Sequence, residues 1–240
     1  MKLLKWGNIR LVLIAMAVVF LYSFSGKRNE MRKLKACEVI FTDSSNLFVT
    51  REVVNKLLIE NDLPANRVTK DKVDLNELEK SINKHLMIEK SEVFVSVDGV
   101  LKAVVQQKTP IARVVGESET FYLDNKGNRM PLSENFSARV PIVTGSVTPD
   151  KFAPLAEMFR MVHADDFLRK NIIGAQVSPT GSVKMTSRNH AYAIDFGKMI
   201  NMERKFGNYK AFYQKAAADS TINAYKTINL KFTSQVVCTK

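Results

Sequence analysis

At 240 residues, with 45% hydrophobic and 25% charged residues, the chain has the material for one large or two small folded domains and falls outside the disordered class. Its formal charge of +12 sits at the ends: residues 1–35 hold eight basic and one acidic residue, residues 36–197 hold 20 and 21, and residues 198–240 hold eight and two. A nucleic-acid binder needs a basic face interleaved with aromatic residues, which the balanced middle does not supply, whereas basic clusters beside a hydrophobic run flank membranes.

The first element is that run. LVLIAMAVVFLYSF, Leu11 to Phe24, carries no charge. As a helix it reaches roughly 21 Å, short of the ~30 Å hydrocarbon core; Ile9 and a snorkelling Arg10 extend it. A transmembrane helix is expected over 9–25, after a tail at 1–8 and before a basic linker at 26–36. Trp6 and Tyr22 would sit at the two interfaces. A cleaved signal peptide competes, with Ser23-Phe24-Ser25 as its cleavage site. Bulky Tyr22 and Phe24 near the exit, and KRNEMRKLK after it, favour a retained anchor. Counting Lys and Arg puts the C-terminal side inside, while the short tail and the mass that follows favour export, so charge does not orient the chain.

ACEVIF begins a strand over Cys37–Phe41. TREVVNKLLIEN, Thr50 to Asn61, reads as a helix with Thr50 as N-cap and Val53, Val54, Leu57 and Leu58 on one face. DLNELEKSINKHL is a second helix, capped by Asp74 with Glu77 three residues on, and Leu75, Leu78, Ile82 and Leu86 form its apolar stripe. EVFVSV and VLKAVVQQ flank Asp98-Gly99, a hairpin signal for a type I′ turn. Residues 37–108 therefore read as one β-α-α-β-β domain.

Pro110 marks a boundary. From 109 to 240 the pattern is β-rich with helices crossing over. ARVVG, FYLD, RMPLS and ARVPIVTG are short strands between Gly, Asn and Pro turns. TPDKFAPLAEMFRMVHADDFLRKN carries a helix with Phe152, Leu155, Phe159 and Val162 on one face. GAQVS-PTG-SVKMTS is a hairpin, and HAYAIDFG a strand. NMERKFGNYKAFYQKAAA is a helix with Met202, Phe206, Tyr209 and Phe212 on its stripe. The last strand starts at Lys226; over Asn229–Gln235, Leu230, Phe232 and Ser234 share one face and Lys231, Thr233 and Gln235 the other. A closing strand with no polar tail is expected at a sheet edge, where unpaired backbone groups invite another chain. The fold class expected is α+β: one N-terminal transmembrane helix, a β-α-α-β-β domain, then a mixed β domain with flanking helices.

Reactive groups do not converge in the sequence. His85, His163 and His190 have no Asp, Glu or Cys at metal-ligand spacing. Gly197-Lys198 resembles the end of a phosphate loop, but Tyr192 stands where the first Gly belongs. No G-x-S-x-G elbow occurs. Asp165-Asp166 reads as solvated charge, and Asn135-Phe136-Ser137 is a glycosylation sequon. A disulfide between Cys37 and Cys238 requires both ends of the globular part to meet; otherwise they are two half-buried thiols. No catalytic, cofactor or metal residue is assigned.

Six stretches, in order, resemble the bacterial cell-division FtsQ (DivIB) family over nearly the whole chain. DLNELEKSINKHLMIEKSEVFVSV is similar to its second helix and following strand, VLKAVVQQKTPIARV to its strand leading into Pro-x-Ala, and FYLDNKGNRMPLS to its Asp-spacer-Gly strand pair. VPIVTG and YAIDFG are similar to two further turns, and INLKFTSQ to its last strand. Gln107-Lys108 departs from the usual acidic-basic pair, Glu92–Val97 lacks the usual Arg and Trp, and VVCTK lacks an aromatic.

The resemblance implies a POTRA-type module at 37–108. It implies a non-catalytic divisome scaffold in the cell inner membrane with its bulk in the periplasm, binding the FtsB–FtsL pair, with no cofactor, nucleic acid or small-molecule substrate. It implies that the last strand accepts a partner segment by strand addition, through Leu230, Lys231, Phe232, Thr233, Ser234 and Gln235. Two rivals stand beside it. A POTRA-containing outer-membrane assembly or secretion protein needs a barrel of alternating strands, where this chain has two helices. A secreted enzyme requires cleavage of the N-terminal segment.

Overall fold

In a computed structural model, the residues described are 6–30, 34, 36–43, 48–59, 73–117 and 119–240. Most of the tail at 1–8, part of the basic linker, and residues 60–61 of the first amphipathic helix lie outside them. Two compact units are present, Met1–Gln107 and Lys108–Lys240. The class is mixed α+β, with an N-terminal apolar helix and a large β-sheet unit.

Helix α1 (Trp6–Glu30) contains the 19-residue stretch Ile9–Lys27, long and apolar enough to cross a membrane. Its side chains from Ile9 to Lys27 are exposed. Nineteen residues at ~1.5 Å each reach ~28 Å, close to the hydrocarbon thickness.

The rest of the first unit is β1 (Ala36–Phe41), α2 (Arg51–Ile59), α3 (Leu75–Asn83), β2 (Ile88–Val95) and β3 (Val100–Gln107). The sheet order is β1-β3-β2, with β1 parallel and β2 antiparallel to β3. Val54, Leu58, Leu78 and Ile82 from the helices meet Val39, Val93, Leu101 and Val105 from the sheet in one core. Both expected caps form. The Val53 N–H donates to Thr50 Oγ1 (3.3 Å), and the Asn76 and Glu77 N–H groups donate to Asp74 Oδ1 (3.0 and 3.1 Å). The buried face of α2 is narrower than its periodicity suggests: Val54 and Leu58 are inside and Val53 is not. Leu86 lies past the end of α3 and is exposed, because the stripe stops where the helix stops.

The hairpin after β2 is not type I′. Gly99 has φ +90°, but Asp98 has no positive φ. Ser96 N–H bonds Val100 O (2.9 Å) and Gly99 N–H bonds Ser96 O (3.0 Å), closing a three-residue loop that ends on a left-handed Gly. The same loop recurs twice in the second unit, at Asp124–Gly127 and Ser178–Gly181.

That second unit holds β4 (Pro110–Val115), β5 (Thr120–Asp124), β6 (Arg129–Met130), β7 (Ile142–Gly145), α4 (Phe152–Ala164), α5 (Asp166–Asn171), β8 (Ile172–Val177), β9 (Ser182–Ser187), β10 (Ala193–Lys198), α6 (Met202–Ala218), β11 (Thr227–Asn229) and β12 (Val237–Thr239). They form one nine-stranded sheet in the order β12-β11-β10-β9-β8-β7-β4-β5-β6. The pairs β4–β7, β7–β8 and β10–β11 are parallel, the others antiparallel. Val114, Val143, Val177, Met185, Ile194 and Phe196 point into a core completed by Leu155, Phe159 and Val162 of α4 and by Phe206 and Tyr209 of α6. Gln176, Lys184 and Thr186 alternate with them on the solvent side. The single helix expected before β8 is two helices. Asp165 adopts an extended conformation and caps α5, accepting from the Leu168 N–H (3.0 Å).

Candidate functional site

The strand expected over Asn229–Gln235 is shorter than its alternation suggests. β11 ends at Asn229, residues 230–236 form a loop, and the chain returns as β12. β11 lies between β10 and β12, so it is not an edge. The edge at this end of the sheet is β12, which pairs with β11 on one side and has no strand on the other among the described residues; β6 is the opposite edge.

Local contacts explain why the strand stops. Leu230 N–H still bonds Asp195 O (2.9 Å), and the Leu230 side chain enters the core, 1% exposed. The Asn229 side chain then accepts from the Lys231 N–H (3.0 Å), an Asx turn that bends the backbone out of the sheet. Lys231 crosses Gly197 and its Nζ meets Asp195 Oδ2 at 2.7 Å. A Cβ on Gly197 would lie 2.7 Å from Lys231 Cγ, and Gly197 itself has φ +72°. Farther along, Asn208 of α6 donates its side-chain N–H to Thr233 O (3.0 Å).

The six residues expected on one strand therefore divide. Leu230 is core, Lys231 is half of an ion pair, and Thr233 has its carbonyl engaged. Phe232 is 52% exposed, and Ser234 and Gln235 are exposed. In β12, Cys238 packs toward the core while Val237 and Thr239 are exposed, so the strand has an inner and an outer face.

Lys205 of α6 holds the bulge at Gly197 from below. It is 2% exposed, and its Nζ donates to Phe196 O (3.0 Å) and Lys198 O (2.8 Å) and stands 4.8 Å from the Phe196 ring centroid. Burial pulls its pKa below the ordinary lysine value. The β9–β10 register shifts between Asp195 and Gly197, beside those carbonyls. Gly197-Lys198, which in sequence resembles the end of a phosphate loop, is part of a β-bulge. The signal for Lys205 in the sequence is its spacing of three from Met202 and four from Tyr209, which puts it in the phase of the apolar stripe.

The other singled-out residues have local duties. His190 bonds Asn223 Oδ1 (2.8 Å) and Tyr213 OH (3.1 Å) and stacks on Tyr192. His85 Nδ1 accepts from the Met87 N–H (3.3 Å). Asp165 also pairs with Lys210 (2.5 Å), whose hydrogen bond and the α5 amides hold the carboxyl below the usual range. Asp166 pairs with Arg169. Ser137 of the sequon bonds Arg113 (2.5 Å). Cys37 and Cys238 are free thiols, both raised in pKa by burial. Among the described residues, no three His, Cys, Asp or Glu side chains group as for a metal ion.

Residues 109–239 match the model of the family described as FtsQ/DivIB, C-terminal related. A curated relative, the cell division protein FtsQ of Salinibacter ruber, is 26% identical over 153 residues, covering 58% of this chain and 59% of that protein. The chain thus spans somewhat more than half the length of that relative. A solved structure, the major extracytoplasmic domain of the cell division protein DivIB from Geobacillus stearothermophilus, aligns over 48% of this chain and 97% of its own at 16% identity, with a TM-score of 0.31.

Proposed function

Because the chain belongs to the FtsQ/DivIB family, whose members are cell-division scaffolds, we propose that it is a non-catalytic scaffold that docks a partner segment on the free edge of β12. The observation that carries this reading is the sheet order, which among the described residues leaves β12 with one unpaired flank, preceded by the loop bearing exposed Phe232. Main-chain ladders supply affinity in such additions and alternate side chains supply selectivity. Phe232, Ser234 and Gln235 are exposed on the loop that leads into β12, and Leu230 anchors the start of that loop in the core.

The proposed partner is the FtsB–FtsL pair. The proposed placement is single-pass in the inner membrane through α1, with the N-terminus cytoplasmic, the bulk periplasmic, and the β-α-α-β-β domain serving as a POTRA-type module. Lys240, next to β12, suits an acidic partner segment, while Lys231 is already paired with Asp195.

Neighbouring residues of a strand present their N–H groups to opposite sides, so proline separates the two flanks of β12. Val237→Pro and Thr239→Pro share one parity and Cys238→Pro has the other. Full-length protein in detergent is titrated with the soluble part of the FtsB–FtsL pair. One parity should lose binding at least 100-fold with an unchanged circular dichroism spectrum, and the other should loosen the β11–β12 hairpin. If both parities fold and bind like the parent, the partner docks elsewhere.

A further inference from the structure

The second unit carries a pocket that the docking edge does not use. It has a volume of about 240 Å³ and lies where β7 and β8 begin and β9 ends; β9, β10 and β11 stand between it and β12. Its apolar base is Ile111, Val162 and Ile172, each 2% exposed or less. Its rim is Arg139, His163, Arg169 and Arg188, and no acidic residue lines it.

The three guanidinium groups differ: Arg188 is positioned by a backbone carbonyl, Arg169 is paired with a carboxylate, and Arg139 has neither among the described residues. Arg188 donates its backbone N–H to Asn171 O (2.7 Å) and its Nε–H to Lys170 O (3.0 Å), which leaves its remaining donors available. Arg139 has no hydrogen bond or ion pair among the described residues. Only Arg169 has a carboxylate partner, Asp166. Pro141 next to the rim is fixed by its own carbonyl, which accepts from the Arg113 N–H (2.8 Å).

We propose that this pocket captures the free carboxyl terminus of another polypeptide that ends in an aliphatic residue. Arginine forks bind carboxylates in bidentate geometry, and the apolar base takes a branched side chain out of water. The volume is below the ~300 Å³ at which pockets for larger ligands begin, so it suits one terminal residue. A phosphate would use the rim and leave the base unfilled; an internal peptide segment would bring no second charge to the rim.

Saturation-transfer NMR on full-length protein in detergent tests this with three probes: acetyl-Ala-Ala-Leu as the free acid, the same peptide as its C-terminal amide, and inorganic phosphate. The free acid should bind saturably, the amide at least tenfold more weakly, and phosphate should not displace the acid at equal concentration. Arg139→Ala and Arg188→Ala, both at exposed positions, should each weaken the free acid at least fivefold while binding at the β12 edge is unchanged. Equal binding of acid and amide, displacement by phosphate, or no saturable binding would overturn the assignment. None of these results bears on β12, so the two sites stand or fall separately.

Discussion

At the scale of single residues, Thr50 and Asp74 cap helices through their own next three residues. Asp165 starts a helix and holds Lys210 from another one, a partner 45 positions away, a contact that no local stretch of sequence contains. The buried tyrosine pair acts across the fold in the same way. Tyr192 and Tyr209 share a hydroxyl contact at 3.0 Å, and burial raises both phenols above their ordinary pKa. A phenol raised in the folded state leaves stability intact below the unfolded tyrosine value of about 10 and removes it as pH climbs beyond that value. Alkaline unfolding should therefore begin above about pH 10. Tyr209→Phe should flatten that limb in a pH series of thermal melts, and an unchanged slope would assign it to other groups.

At the scale of elements, periodicity found the helices and most strands. It failed at the end of the sheet because Leu230, Phe232 and Ser234 have a period of two for reasons unrelated to pairing. Leu230 is drawn into the core and Lys231 onto Asp195 across Gly197, and no window of sequence contains those contacts. Where the backbone conformation itself forces a residue, the sequence is more direct. Gly145 closes β7 at φ +90°, and a Cβ there would fall inside the van der Waals distance of Val177 O on the neighbouring strand β8. Gly145→Ala should cost about 1–3 kcal/mol in urea unfolding, more than Gly→Ala at Gly181, which has positive φ and open space around it. Equal losses at the two positions would show that conformation alone, and not the β7–β8 approach, decides.

At the scale of the whole molecule, the two units have separate cores, one of strands and helices from 34 to 105 and one from 111 to 230. The units divide between Gln107 and Lys108, just before Pro110, where composition and periodicity change. The order of nine strands, three pairs of them parallel, is not legible in the sequence, since crossovers leave no local trace. The orientation proposed for the anchor is a statement about the entire chain. Alkaline phosphatase fused after Lys240 should be active in cells, and a fusion truncated before α1 should be inactive; the reverse pattern would invert the topology. The parallel pairing of β10 with β11 has one more consequence. The chain must run through all of α6 before β11 can seat, and β12 can seat only on β11. The border proposed for docking therefore exists only where β11 is already seated on β10, and on that reading a molecule with β11 unseated would lack the surface that recruitment uses.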